Sequence, residues 1–199
     1  FVARLAEAGK SLRVGPAEDP DTYVGPVIDA DARKRILEYR EIARGEGRVV
    51  LDVDVSEIAD RGAFVGPLIA ADVKPDARAA QEEIFGPVLV VIKAKDLDDA
   101  LTIAEGTAYA LTGGLYSRSP VTIDRVRREF RVGDLYINRA ITGALVDRQP
   151  FGGFKLSGVG AKAGGSEYLL EFLLTRSITE NTMRRGFAPE EFTTSAEGE

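Results

Sequence analysis

The chain has 199 residues, 44% hydrophobic and 29% charged, enough for one globular domain that buries roughly 70% of its unfolded surface. A formal net charge of -6 offers no basic surface to nucleic acid, and no stretch has the ~20 apolar residues of a membrane span or the order of a signal peptide, so the expectation is a soluble, cytoplasmic protein with neither partner. With no cysteine and no histidine, these residues exclude disulfides, thiolate nucleophiles and zinc-thiolate sites, and no metal site is expected.

Phe1, Leu5, Ala8 and Leu12 share one helical face, yet neither an initiator Met, a capping residue nor a preceding strand introduces it. This reads as a chain that starts inside an element, the C-terminal piece of a longer protein. Asp29 or Asp31 can cap the next helix, whose apolar positions Ile36, Tyr39 and Ala43 are spaced by three and four, with Gly45 to Gly47 closing it. A β-rich run at 49–55 follows, then an extended segment at 63–69, a short helix at 75–82 and a Val/Ile-rich strand at 88–93.

Asp96 with Asp99 resembles a capping box for a helix that turns Leu97, Ala100, Leu101 and Ala104 inward and ends before Gly106. Residues 112–117 form a strand. Ser119 as cap and Pro120 at the first helical position open a helix buried through Ile123, Val126 and Phe130 and ended by Gly133, and 134–138 is a further strand. This alternation predicts an α/β fold, a mostly parallel sheet flanked by helices. Beyond it come a helix at 166–174 with Ser166 as its cap, a strand at 175–186, and a polar, acidic tail at 187–199 expected to be disordered.

In such sheets ligands bind outside the carboxyl ends of strands, which points to the loop leaving Asn138. Residues 143–165 contain Gly143, Gly152, Gly153, Gly158, Gly160, Gly164 and Gly165, a density that lets main-chain N–H groups approach a ligand without a Cβ in the way. A long flexible connection would use the same residues, although Pro150, Phe151 and Phe154 suit a formed pocket better. Gly158-Val159-Gly160 before Gly164 lacks the spacing and the preceding strand of a dinucleotide turn. The acidic clusters at 19–21, 52–54 and 96–99 lack EF-hand spacing and read as caps, turns and solvated faces.

Residues 81–87 (Gln-Glu-Glu-Ile-Phe-Gly-Pro) stand between a short helix and a strand. One reading is a surface acidic pair with Phe85 plugging the core. The other is a carboxylate that accepts from both hydroxyls of a ribose while Phe85 packs against the sugar.

Four segments, 81–87, 107–117 (Thr-Ala-Tyr-Ala-Leu-Thr-Gly-Gly-Leu-Tyr-Ser), 136–139 (Tyr-Ile-Asn-Arg) and 149–153 (Gln-Pro-Phe-Gly-Gly), resemble in order the C-terminal, catalytic-domain half of an aldehyde dehydrogenase. Residues 141–146 and 154–158 are similar to the 1-pyrroline-5-carboxylate dehydrogenase branch, which oxidises L-glutamate γ-semialdehyde to glutamate in proline breakdown. The resemblance implies that 1–174 are an incomplete catalytic domain, and that Glu83 holds the nicotinamide ribose of NAD with Phe85 beside it. It implies that Gly143 and Ala144 give N–H groups to the substrate α-carboxylate, with Phe151 walling the methylene chain. It also implies that 175–186 join a sheet between subunits of a homo-oligomer; an ordinary edge strand would read the same.

The family reaction needs a cysteine thiolate and a carboxylate base, both expected upstream of Phe1, so no catalytic residue is assigned and the chain by itself is expected to be inactive. Asp147-Arg148 departs from relatives and reads as a surface ion pair. A different semialdehyde specificity and a non-catalytic binding or assembly module stay open as alternatives.

Overall fold

The computed structural model describes residues 1–181. Helix α1, Val2–Lys10, buries Ala6 and Gly9. Ala6 packs with Leu51 and Ile69, and Leu5 lies half-buried beside them. The buried face is thus rotated from the expected one: Ala8 is exposed and Phe1 is 90% exposed. Helix α2, Ala30–Glu46, is capped by Asp29, whose carboxylate accepts from the Ala32 N–H at 2.7 Å, so Asp29 and not Asp31 starts it. It buries Ile36 and Ala43 as spaced, and also Arg40.

Strand β1, Arg48–Asp52, runs antiparallel to β2, Leu68–Ala71. The run expected over 49–55 stops early because Asp54 turns back to accept from the Ser56 N–H and hydroxyl. Helix α3 is the single turn Arg78–Gln81, and β3, Val88–Val91, pairs with β2 in parallel. All four β2 residues are buried. Leu68 and Ala70 face Ala43 of α2 and Ala79 of α3, while Ile69 faces Ala6 of α1, so helices cover both sides of this strand.

Helix α4, Leu97–Glu105, is capped by Asp96, and Asp99 reaches back to the Lys95 N–H, one residue earlier than in a capping box. Its inward face is shallow: Leu97, Ala100 and Leu101 are half-buried and Ala104 is exposed. Strand β4, Tyr109–Ala110, precedes β5, Thr112–Leu115; α5, Pro120–Glu129, capped by Ser119, then leads to β6, Asp134–Ile137, which pairs with β5 in parallel. Strand β7, Phe154–Lys155, returns antiparallel to β4.

The α/β reading holds, with helices flanking the sheets. The ladders of the described residues divide into three sheets, with β1 and β7 adding antiparallel pairs to the parallel β2–β3 and β5–β6 units. Gly133 does not end α5, which is already closed at Phe130. Its hydrogen side faces the Gly152 carbonyl, where a Cβ would come within 1.8 Å, so glycine stands there because the 152–153 backbone crosses over it.

Over 166–174 the chain forms a 3-10 turn, Tyr168–Phe172, in place of the expected helix, and Ser166 does not cap it. The apolar side chains Leu169, Leu170, Phe172, Leu173 and Leu174 are all exposed, leaving no buried face to stabilise a longer helix. Residues 175–181 make no strand ladder among the described residues; 182–186 of the expected strand and the tail at 187–199 lie outside them.

Candidate functional site

The β5–β6 unit ends in a device that aims the next loop. Asn138 adopts φ +55, and its side-chain amide accepts from the Ser117 N–H at 2.8 Å and donates to the Ser117 carbonyl at 2.9 Å. The chain leaves the sheet there and enters 139–149. A cleft of about 550 Å³ follows, lined by Leu111, Thr112, Ile141, Thr142, Gly143, Ala144 and Phe151.

Three residues singled out in the sequence, Gly143, Ala144 and Phe151, therefore lie along one cleft. Gly143 has φ +85, a left-handed turn that an L side chain resists. Among the described residues neither the Gly143 nor the Ala144 N–H donates a hydrogen bond. Two open donors among apolar walls can receive an anion.

Phe151 is held as a fixed wall. Its N–H donates to the Ala163 carbonyl and the Ala163 N–H donates to its own, both at 2.9 Å. The next residue, Gly152, donates its N–H to the nearly buried Asp134 carboxylate at 3.2 Å, and its carbonyl accepts from Lys162 Nζ at 2.7 Å. Further on, Ser157 Oγ accepts from the Ala110 N–H, a structural role. Asp147 and Arg148 form no ion pair among the described residues; Asp147 adopts φ +60 and gives its N–H to the Gly164 carbonyl, so this pair serves a turn.

Glu83 and Phe85 lie outside that cleft, on the turn between α3 and β3. The residue between them, Ile84, is buried against Ile36 and Val65, so the plug in the core is Ile84 and not Phe85. Phe85 is 77% exposed at φ +56. Alternation about Ile84 puts Glu83 outward too, and its carboxylate makes no hydrogen bond or ion pair among the described residues. An open pair of acceptors near an open aromatic face fits a ribose.

Its neighbour Glu82 is committed elsewhere. It accepts from Arg78 at 3.0 and 2.9 Å and, in a short contact, from the Tyr39 hydroxyl. Arg78, then Tyr39, hold its carboxyl down to about 2, and the same contact raises the Tyr39 hydroxyl. The two adjacent carboxylates thus differ: Glu82 braces the turn and Glu83 stays open.

The sequence reading assigned no role to Arg139, which donates to the Thr142 carbonyl, or to Gln149, whose amide, once turned, donates to the Gly143 carbonyl. A cation and an amide flanking a glycine turn were the available signal.

The aldehyde dehydrogenase family profile matches residues 1–178. The 1-pyrroline-5-carboxylate dehydrogenase of Geobacillus sp. (strain WCH70) is 47% identical over 177 residues, covering 89% of this chain. The chain spans about a third of the length of the curated relatives it matches, 34% in that case. Among solved structures, proline utilization A from Bdellovibrio bacteriovorus aligns with a TM-score of 0.88 at 53% identity, over 96% of this chain and 20% of that one. The 1-pyrroline-5-carboxylate dehydrogenase from Thermus with bound NAD aligns with a TM-score of 0.77 at 47% identity, over 85% of this chain and 32% of that one. The chain belongs to the aldehyde dehydrogenase family.

Proposed function

We propose that these residues are the substrate-anchoring and ribose-holding part of an NAD-dependent enzyme that oxidises L-glutamate γ-semialdehyde to L-glutamate in proline catabolism. The observation that carries the proposal is the cleft where the two unspent N–H groups of Gly143 and Ala144 stand with Phe151, whose backbone is pinned to Ala163. A substrate with a carboxylate at one end and an aldehyde three carbons away needs an anion anchor, a short apolar wall and a reacting end beyond it.

In this assignment Gly143 and Ala144 bind the α-carboxylate and Phe151 orients the methylenes. Glu83 accepts from the ribose hydroxyls of NAD and Phe85 covers the sugar. NAD, when bound, supplies the hydride acceptor. With no cysteine and no histidine present, we assign the attacking thiolate and the water-activating carboxylate to the remaining length of the protein, and the 199-residue chain by itself is inactive. The exposed apolar side chains Leu169, Leu170, Phe172, Leu173 and Leu174 just before the segment, with Ile178 inside it, support the assignment of 175–186 to a contact between subunits of a homo-oligomer.

The test is steady-state kinetics of the full-length protein with NAD. NADH should form with glutamate semialdehyde, and Gly143→Val, which strains a φ of +85 and so displaces the turn, should raise KM at least tenfold. Equal KM in the two proteins sinks the carboxylate assignment. Equal kcat/KM for an aldehyde without a carboxylate would point to another specificity.

A further inference from the structure

Two side chains take up consecutive carbonyls of the turn that lines the cleft. Arg139 donates from Nη2 to the Thr142 carbonyl at 3.0 Å and from Nε to the Ala140 carbonyl at 3.3 Å. With the amide of Gln149 turned so that its oxygen faces Arg139 Nη1, it accepts there at 3.0 Å and donates to the Gly143 carbonyl at 3.0 Å. Arg139 and Gln149 bond each other as well as the turn. The Arg139 guanidinium also lies 4.9 Å from the ring centroid of the buried Tyr136, which fixes its plane on the sheet.

Peptide geometry turns this grip into a direction. In a trans peptide the C=O and the N–H of the same plane point opposite ways, and no described peptide is cis. The Thr142 carbonyl shares its plane with the Gly143 N–H, and the Gly143 carbonyl shares its plane with the Ala144 N–H. Holding both carbonyls on Arg139 and Gln149 therefore points both N–H groups away from that pair. The same contacts polarise the two peptides, because a carbonyl that accepts a hydrogen bond makes the N–H of its own peptide plane a stronger donor, most of all the Thr142 carbonyl, whose donor is a cation.

We infer that Arg139 and Gln149 are positioning residues for carboxylate recognition: they touch no substrate, and act by presenting the Gly143 and Ala144 N–H groups as a preset pair. The inference rests on the reading that this pair holds the substrate carboxylate. It also explains why the turn keeps its donors free without a side chain of its own to bind the anion.

In the full-length protein, Arg139→Met and Gln149→Ala should each raise KM for glutamate semialdehyde about tenfold with a smaller fall in kcat, and the double variant should cost little more than either alone. Arg139→Lys keeps a donor for the Thr142 carbonyl and should recover part of the loss. Gln149→Glu keeps the partner for Arg139 but cannot donate to Gly143, and should not recover. As a readout free of turnover, L-glutamate should protect the 143–144 amides from hydrogen exchange in the wild type, and about tenfold more should be needed in Arg139→Met. Wild-type turnover with unchanged KM and unchanged protection in the variants overturns the inference and leaves the proposed function standing. A wild type that neither oxidises the semialdehyde nor is protected by glutamate overturns both.

Discussion

Asn138 pairs with both backbone groups of Ser117, accepting at 2.8 Å and donating at 2.9 Å, and so adds one side-chain rung to the β5–β6 ladder just where the chain turns out at φ +55. Asn138→Ala removes both bonds and should cost about 1–2 kcal/mol in a urea transition, with a rise in KM as the loop loses its footing. Asn138→Asp keeps only the acceptor and should recover about half. A wild-type transition midpoint in the alanine variant would show that the rung does not hold the loop.

Arg40 is buried, and its guanidinium meets the Gly66 carbonyl and Asp52 in short contacts; Arg44 grips the other oxygen of Asp52. Burial lowers the Arg40 pKa against the pull of Asp52, whereas the hydrogen bond to Asp52 raises that of Arg44. Removing the anion strands a buried cation, so Asp52→Asn should destabilise by about 2–4 kcal/mol, and Arg40→Met with Asp52→Leu together should cost less than the single change. Denaturation of the three proteins decides it.

Glu82 contributes to the acid limb of stability. Its folded pKa of about 2 lies below the ordinary 4.5, so its contribution is whole above pH 4.5 and disappears as pH falls through about 2. Glu82→Gln should flatten the loss of melting temperature over that window. Arg78→Met should do the same, because it removes the first cause of the shift. Parallel acid profiles in all three proteins would exclude this assignment.

Glu83 and Glu82 stand side by side, Glu82 bonded to Arg78 and Tyr39 and Glu83 proposed to hold the ribose. Glu83→Gln should raise KM for NAD about tenfold, whereas Glu82→Gln should leave that KM near the wild-type value. Kinetics of the two variants with NAD varied separates the two carboxylates.

Much of this was legible from local chemistry. Asp29, Asp96 and Ser119 cap the helices that their spacing announced, and Ile36 and Ala43 are buried as placed. Where reading failed, distant contacts decided. Gly133 is glycine because of a backbone 19 residues further on, at Gly152, which no local helix-ending rule can see. The face of α1 is set by Leu51 and Ile69, whereas Leu169, Leu170, Phe172, Leu173 and Leu174 around the short turn Tyr168–Phe172 meet no apolar surface among the described residues. At the cleft, the family resemblance named Gly143, Ala144 and Phe151 but offered no means of ranking Arg139 and Gln149, which stand out only by the carbonyls they reach.

Phe85 carries a cost that packing does not return. A large side chain at φ +56 is uphill by about 1–2 kcal/mol, where glycine would sit without strain, and with 77% of its surface exposed it gains little burial in exchange. A sequence selected for durability alone would place glycine or asparagine there. In the proposed assignment, where the ring covers the sugar of NAD, keeping it concedes robustness to binding, and stabilising substitutions sought in this chain should be expected to cluster where they erode function first.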